Sequence, residues 1–236
     1  MDIEKIRTIS RSSVVIIGNF NPAIFHPEWF DRNQVLPPQE VRDIAQAKPI
    51  KIDALKNSKV KFIGSNVFVS AFETRLSLPS YNILINPERF EASTSNGEKR
   101  TELCKFVAST FKVLEHIPVT SIGINFLSSL RFSLHAKDLM ERYFCAKPEA
   151  ISSVFGPGYV IDSSVRFSFE DSRVRLELKL IEASDEIGIN FNYDKKLTEE
   201  RDTKELIKHL LNNFEPMMLN ADAIIKELFG EPTAWR

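Results

Sequence analysis

The clearest pattern in the chain is the alternation of apolar and polar residues over residues 159–193. Two turn-forming pairs, Asp171-Ser172 and Ser184-Asp185, divide this region into three segments. The apolar positions in them recur at every second residue: Val165, Phe167 and Phe169, then Val174, Leu176, Leu178 and Leu180, then Ile187, Ile189, Phe191 and Tyr193. Because successive side chains of a strand point to opposite faces, this pattern predicts three antiparallel strands that share one apolar face.

The first third of the chain predicts a second meander after an irregular segment. Residues 13–20 are β-branched and end in glycine and asparagine, which is typical of a buried strand. Five prolines in residues 21–50 exclude a central strand there and leave room for a short helix over residues 39–47. Strands are then predicted at residues 59–63, 67–78 and 82–86, and the second of these strands should bury Phe72, Thr74, Leu76 and Leu78.

Helices are predicted where apolar residues recur at three- and four-residue steps. The first spans residues 103–114 and ends before Pro118, after which residues 119–126 predict another strand. A short helix follows at residues 139–144. A last helix begins near Asp202 and Glu205, which are spaced like a capping box, and we expect Pro216 to break or kink it.

These elements predict an α+β fold in which antiparallel sheets are covered by helices, as a single domain over residues 1–236. Residues 1–117 and 118–236 have the same order of strand, short helical excursion, meander and long helix, so a fold of two pseudo-repeated halves is an alternative. Glycine and asparagine recur at Gly18-Asn19, Gly123-Ile124-Asn125 and Gly188-Ile189-Asn190. Strand ends often carry these residues, which is the competing explanation.

Composition and charge narrow the class of protein. Hydrophobic residues make up 43% of the chain and charged residues 27%, as in ordinary globular domains. The formal net charge is -1, so nucleic-acid binding would need a local basic patch. Apolar runs are strand-sized and the N-terminus mixes charges, which predicts a cytoplasmic protein without a membrane span or secretory signal. Cys104 and Cys145 have apolar neighbours and are interpreted as reduced, packed thiols.

Aromatic and amide side chains concentrate in residues 19–30, directly after the first predicted strand. A loop presented by a rigid strand is a common place for recognition, and aromatic residues beside polar groups are typical interface anchors. The candidate partner-binding residues are Asn19, Asn21, Phe25, His26 and Trp29. The alternative is that the aromatic residues pack against the sheet while the asparagines bond turn amides.

Motifs of catalysis and cofactor binding are not found in the sequence. The four histidines are widely spaced, and the chain has no G-x-S-x-G, P-loop or dinucleotide-binding pattern, so we predict no cofactor, no metal site and no catalytic residue. Acidic residues that meet only in the fold would allow a metal-dependent hydrolase or nuclease. Arg173, Arg175 and Lys179 are weak nucleic-acid candidates, because alternation places them on one strand face together with Glu177.

Three stretches carry a resemblance to a known family: residues 15–30, which contain Gly-Asn-Phe-Asn-Pro, the His-Ile-Pro-Val run and following strand at residues 116–125, and Ala-Lys-Pro at residues 146–148. The chain resembles a family of uncharacterised bacterial proteins with a GNFNP-type opening, and the resemblance covers nearly the whole chain but implies no activity. We therefore expect a non-enzymatic protein-binding or regulatory subunit that binds a protein partner or itself. A hydrolase or nuclease and a sheet-based nucleic-acid binder are the alternatives.

Overall fold

The computed structural model describes residues 5–37, 40, 49–50, 61–63, 67–144, 164–169, 173–198, 203–230 and 234–235. Within them the chain has the predicted α+β fold, with a large antiparallel sheet and helices. The α-helices are α1 (Pro27–Arg32), α2 (Arg100–Val113), α3 (Ala136–Phe144) and α4 (Thr203–Phe229). No helix in the described part of the chain is both long and apolar enough to cross a membrane. The predicted helix over residues 39–47 lies almost entirely outside the described residues.

The strands follow in chain order, and their bounds are these: β1 (Lys5–Gly18), β2 (Pro49–Ile50), β3 (Lys61–Ile63), β4 (Val67–Val69), β5 (Thr74–Ser77), β6 (Asn82–Ile85), β7 (Arg89–Thr94), β8 (Val119–Phe132), β9 (Ser164–Phe169), β10 (Val174–Ile181), β11 (Glu186–Lys196) and β12 (Ala234–Trp235). Neighbouring strands pair antiparallel wherever the register is resolved, except that β12 pairs parallel to the start of β1.

The chain divides into two compact units. The N-terminal unit is built on residues 11–125 and 194–218. The C-terminal unit is built on residues 126–193 and 219–236 together with the first ten residues. Strands β1, β8 and β11 and helix α4 each contribute to both units, so the long elements of the fold are shared.

In the N-terminal unit the strands lie in the order β2-β3-β4-β5-β6-β7-β1. Helix α2 covers the face on which Phe90 of β7 lies, and the rings of Phe90 and Phe111 meet edge to face with centroids 5.2 Å apart. Tyr81 stacks on Phe106 of the same helix at 5.4 Å. These side chains are almost completely buried, so the aromatic residues of the first half mainly build this core.

The prediction of one strand over residues 67–78 is wrong. Two short strands, β4 and β5, are separated by a tight turn at residues 70–73, where the Ser70 hydroxyl accepts hydrogen bonds from the amides of Phe72 and Glu73 at 3.2 and 3.0 Å. Phe72 lies in this turn and is exposed to solvent, whereas Thr74, Leu76 and Leu78 are buried as expected. Val69 and Thr74 both face the core although they are five positions apart, and a continuous strand would place residues at an odd offset on opposite faces.

Strand β7 was not predicted. Only Phe90 and Ala92 in it are apolar, and Arg89, Glu91, Ser93 and Thr94 hide the alternation. Both apolar residues are fully buried, and β7 lies in the interior of the sheet between β6 and β1. Pairing with two hydrogen-bonded neighbours fixes this strand despite its polar composition.

In the C-terminal unit the predicted three-stranded meander is confirmed. Strand β10 pairs with β9 and with β11, and Leu176 lies opposite Phe167 on one side and opposite Phe191 on the other. Val174, Leu176 and Leu178 are buried while Arg173, Arg175 and Lys179 are exposed, as the alternation requires. Ser184 and Asp185 form the predicted turn, with Asp185 at a φ of 52°.

Helix α4 is continuous through Pro216, so the proline does not break it. Proline has no amide hydrogen, so the Asn212 carbonyl one turn earlier lacks its helical hydrogen bond. Both Pro216 and Asn212 are exposed. Water can therefore bond this carbonyl. At the helix start, Glu205 accepts a hydrogen bond from the Thr198 amide at 2.9 Å and pairs with Lys195 at 2.8 Å. The other member of the predicted capping box, Asp202, lies outside the described residues.

An ion pair between a buried arginine and a partly exposed aspartate links α4 to β1 in the C-terminal unit. The side chain of Arg7 is only 2% exposed, and its guanidinium lies 2.6 Å from the carboxylate of Asp222. A buried charge is costly unless it is paired. Asp222 of α4 thus supplies a compensating charge for the buried guanidinium of β1.

Candidate functional site

The loop that follows β1 is held by a close approach of two backbones. The Asn19 amide donates to the Pro118 carbonyl at 3.0 Å, and the Phe20 amide donates to the Pro87 carbonyl at 2.8 Å. A Cβ atom on Gly18 would lie 2.4 Å from the Pro118 oxygen. The glycine of Gly-Asn-Phe-Asn-Pro thus leaves room for the backbone of His-Ile-Pro-Val, and the two runs that carry the family resemblance contact each other.

Asn21 and Pro22 start a short 3₁₀ turn over Pro22–Ile24. The Asn21 side chain accepts a hydrogen bond from the Ala23 amide at 3.2 Å, which is the usual N-cap arrangement. The Pro22 carbonyl accepts a hydrogen bond from the buried Thr74 hydroxyl at 2.7 Å. This bond ties the loop to strand β5.

The candidate residue Phe25 lies in the core. Its side chain is fully buried, and its ring centroid is 5.8 Å from that of Phe90 and 6.3 Å from that of Phe30. Phe20 and Phe30 are buried as well. These three rings pack against the sheet, which is the alternative given for the aromatic residues of this loop. A partner cannot contact the Phe25 ring without rearrangement of the core.

The other loop candidates lie at least partly at the surface. Asn19 and Asn21 are exposed, and Trp29 is half-buried with its ring edge to face against Phe30 at 5.1 Å. His26 is the N-cap residue of α1, and its Nδ1 atom lies 3.9 Å from the Glu28 carboxylate. These four side chains offer amide, imidazole and indole groups to a neighbour.

The most exposed large hydrophobic side chain in the described part of the chain is Phe72, at 79%. It lies at the tip of the β4–β5 hairpin, where the Ser70 hydroxyl also donates to the Glu73 carbonyl at 2.9 Å. Beside it, Glu73 and Arg75 form an ion pair at 2.6 Å. The sequence prediction placed Phe72 in the core, and the odd spacing from Val69 to Thr74 is the signal that identifies the turn.

The hairpin tip and the loop are joined through Thr74, which follows Phe72 by two residues and bonds to Pro22. We define the hairpin–loop edge as Phe72 together with Asn19, Asn21, His26 and Trp29. Its backbone is held by the Ser70 turn, the Asn21 cap and the bonds of residues 18–20. The edge therefore presents an aromatic ring on a rigid framework.

The basic candidates lie on a different surface, the polar face of the C-terminal meander. Arg175 donates to the Asn192 side-chain oxygen at 2.9 Å, opposite it on β11. Glu177 shares this face, as expected, and pairs with Arg166 at 2.8 Å. Arg173, Arg175 and Lys179 are exposed, but the face has charges of both signs.

The described titratable groups form structural rather than reactive arrangements. Burial raises the pKa of the Cys104 thiol to about 11, and its sulfur donates to the Leu210 carbonyl at 3.3 Å. This thiol is free and packed, as predicted, and the raised pKa keeps it protonated. Burial and the nearby carboxylates of Glu102 and Glu40 raise the pKa of Tyr81 to about 12. No group of three or more His, Cys, Asp or Glu among these residues is arranged to hold a metal ion. Cys145 lies outside the described residues.

One histidine–carboxylate pair was not expected from the sequence. His135 precedes α3, and its Nδ1 atom lies 2.9 Å from the carboxylate of Asp185 in the β10–β11 turn. The second oxygen of Asp185 accepts a hydrogen bond from the Ala136 amide at 2.8 Å. Asp185 thus caps α3 from another element, and this bond together with that of His135 lowers the pKa of its carboxyl group.

Comparison with known proteins assigns no relative: no protein-family model matches the chain, and no curated protein is significantly similar to it.

Proposed function

We propose that the chain is a non-enzymatic protein-binding or regulatory subunit that uses the hairpin–loop edge as its binding surface. In line with the family resemblance, it would be an accessory subunit in a bacterial cytosolic system. The observation that carries the proposal is the 79% exposure of Phe72 at the tip of a hydrogen-bonded turn.

An exposed phenylalanine on a rigid turn is well suited to binding a protein. Burial of such a side chain contributes about 1.5–3 kcal/mol. Because the Ser70 hydroxyl already holds the turn, the backbone loses little freedom when a partner covers the ring. The binding energy is therefore not consumed in ordering the hairpin.

The hairpin and the loop both carry polar groups suited to an interface. Protein interfaces combine an apolar centre with a polar rim. Asn19, Asn21 and His26 provide hydrogen-bonding groups, and the Glu73–Arg75 pair provides both charges. Trp29, half-buried against Phe30, adds apolar area on the loop.

The two alternatives have weaker support. A nucleic-acid site at Arg173, Arg175 and Lys179 shares its face with the carboxylate of Glu177. A metal-dependent hydrolase would need several ligands in one place, and in the described part of the chain no group of three or more His, Cys, Asp or Glu is arranged to hold a metal ion. A gel-shift assay across salt concentrations tests the first, since contacts to a phosphate backbone weaken as salt rises.

The proposal is tested by quantitative affinity purification of the tagged chain from its source cells. We expect Phe72→Ala to lower recovery of a stoichiometric partner by roughly tenfold or more, as loss of a central aromatic anchor does. The matched control is Leu219→Ala, because Leu219 is 58% exposed but lies on α4. Both variants should keep the thermal midpoint, since exposed substitutions change stability by about 0.5 kcal/mol or less. Equal recovery with Phe72→Ala and wild type would contradict the proposal.

A further inference from the structure

Strand β9 forms an edge of the sheet in the C-terminal unit. The strand order ends in β11-β10-β9, so among the described strands β9 pairs with β10 alone. The register between these two strands is unbroken from Ser164 opposite Lys179 to Phe169 opposite Val174. Between residues 164 and 168 the side chains of β9 are exposed or half-buried. The backbone groups along the outer edge of β9 can therefore bond to another strand.

The usual protections of a sheet edge are weak in β9. Edge strands avoid pairing by being short, by carrying proline or charge, or by containing a bulge. The edge strand of the N-terminal unit, β2, is two residues long and begins with Pro49. In contrast, β9 has six residues without a proline or a bulge, and its one charged side chain, Arg166, is paired with Glu177 at 2.8 Å. The strand is therefore suited to the addition of another strand.

The apolar face of the meander is less covered on β9 than on β10. Leu176 and Leu178 of β10 are at most 3% exposed. Phe167 and Val165 lie opposite them on the same face, but Phe167 is 40% exposed and Val165 is half-buried. A strand added beside β9 would extend this face and cover part of the Phe167 ring. The backbone edge and the apolar face both fit an added strand whose alternate residues are apolar.

We propose that β9 pairs antiparallel with β9 of a second copy about a twofold axis at Phe167, which joins the two meanders into one sheet. The alternation in β9 is symmetric about this residue, so apolar positions lie opposite apolar positions on one face. On the other face Arg166 lies opposite Ser168 of the second copy. The neighbouring symmetric register, centred on Arg166, would place two arginines directly opposite each other, and like charges in that arrangement are destabilising.

The self-complementarity of β9 favours a second copy as the occupant of this edge. Each copy supplies both the edge and the strand that pairs with it, so no further component is needed. Pairing occupies the outer edge of β9 in both copies, so the association closes at two chains, as an isologous contact does. The contact goes beyond the proposed function, because it lies in the C-terminal unit and does not involve Phe72.

Sedimentation velocity of the full-length chain over a wide concentration range tests the contact. We expect the wild type to form a reversible dimer. Phe167→Lys and Phe167→Glu alone should each need at least about tenfold higher concentration to dimerise, because one substitution acts twice across a twofold axis. An equimolar mixture of the two should dimerise again, since opposite charges then face each other at position 167. The controls Leu219→Lys, at a 58% exposed leucine of α4, and Phe72→Ala should dimerise as the wild type does.

Hydrogen–deuterium exchange of the wild type examines the same strand without a substitution. Amides of residues 164–169 should exchange more slowly well above the dimerisation midpoint than well below it, because strand pairing protects them. Amides of residues 174–181 already lie between two strands and should not change. Should the Phe167 variants fail to fold, this measurement decides alone.

Each outcome supports or overturns the contact. Dimerisation that both Phe167 variants weaken and their mixture restores supports it, as does concentration-dependent protection of β9. A monomeric wild type at all concentrations, a folded Phe167→Lys variant that dimerises like the wild type, a mixture of folded variants that stays monomeric, or exchange of β9 that is independent of concentration overturns it. A dimer that is lost in Phe72→Ala but kept in Phe167→Lys also overturns it, while it supports the proposed function of the hairpin–loop edge.

Discussion

Gly18 shows most directly how single residues shape the loop beside the proposed surface. The position leaves no room for a side chain, because a Cβ atom would lie 2.4 Å from a backbone oxygen of residue 118. The Gly18 amide donates to the Glu88 carbonyl and the Asn19 amide donates to the Pro118 carbonyl. These hydrogen bonds keep the two backbone segments from moving apart to admit a side chain. Glycine is needed at this position for space and not for a left-handed backbone conformation.

We expect Gly18→Ala to lower the free energy of unfolding by roughly 2–3 kcal/mol, the upper range of ordinary single substitutions. Gly188→Ala is the matched control, since its Cβ would meet the flexible end of Ile181 at 3.0 Å and cost less. Urea denaturation of both variants measures the difference. Equal stability of the two variants would show that the loop accommodates a Cβ at position 18.

Thr74 is the residue that joins the hairpin to the loop. Its hydroxyl is buried and donates to the Pro22 carbonyl at 2.7 Å. Thr74→Val keeps the shape but removes one of the two donors of that carbonyl, which also accepts from the Phe25 amide at 3.1 Å. The loss of this one hydrogen bond should cost about 0.5–1.5 kcal/mol. Thr74→Ser keeps the hydroxyl and should retain most of the bond. Thermal unfolding distinguishes the two, and a valine variant as stable as the serine variant would rule out a structural role for the bond.

Among the elements, α3 depends on a group outside itself. Asp185 caps the helix from the β10–β11 turn, and its hydrogen bond to His135 raises the pKa of the imidazole. The same interactions lower the pKa of the Asp185 carboxyl group. A raised histidine pKa contributes stability that is lost as pH rises through it, whereas a lowered aspartate pKa contributes stability that is lost as pH falls through it.

The His135–Asp185 pair should therefore contribute most to the stability of the fold between the ordinary pKa values of aspartate and histidine, about pH 4 to 6.5. We expect Asp185→Asn to return the pKa of His135 toward its ordinary value while the amide still caps the helix. An NMR titration of the His135 ring in both proteins measures this directly. An unchanged pKa of His135 in the variant would mean that the carboxylate does not act on the imidazole.

Elements with regular alternation could be predicted closely, and elements fixed by tertiary context could not. Strands β9–β11 follow from alternation alone, because each residue's face is set by its position. Strand β7 did not, since four of its six residues are polar and only its two neighbours define it as a strand. Phe72 was misplaced because the alternation of Thr74, Leu76 and Leu78 was extended back to residue 72, which lies in the turn held by the Ser70 hydroxyl. Most of the fold was thus accessible from sequence, whereas the residue central to the proposed surface was not.

At the scale of the whole molecule, the order of elements is the same in the two halves of the chain. Strands β1 and β8 each have 14 residues, and each is followed by a short helix, an antiparallel meander and a long helix. His26 and His135 occupy corresponding places before the short helices. We propose an internal duplication as the origin of this order, although β1, β8, β11 and α4 contribute to both compact units.

Because β1, β8, β11 and α4 contribute to both compact units, we expect that neither residues 1–117 nor residues 118–236 fold alone. A chain of residues 1–117 lacks the part of α4 that carries Leu206, Leu210 and Phe214, all buried in the full protein. We expect fragments 1–117 and 118–236 to show no cooperative thermal transition by circular dichroism. A cooperative transition in either fragment would show that it is an independent domain.

The most direct test of the proposed binding surface places a photo-reactive p-benzoylphenylalanine at position 72 in living source cells, with position 219 as the control. The account predicts a discrete cross-linked protein adduct from position 72 and none from position 219. An adduct of twice the 27.0 kDa chain identifies a second copy, and another mass identifies a different partner. No adduct from position 72, or equal adducts from both positions, would contradict the account.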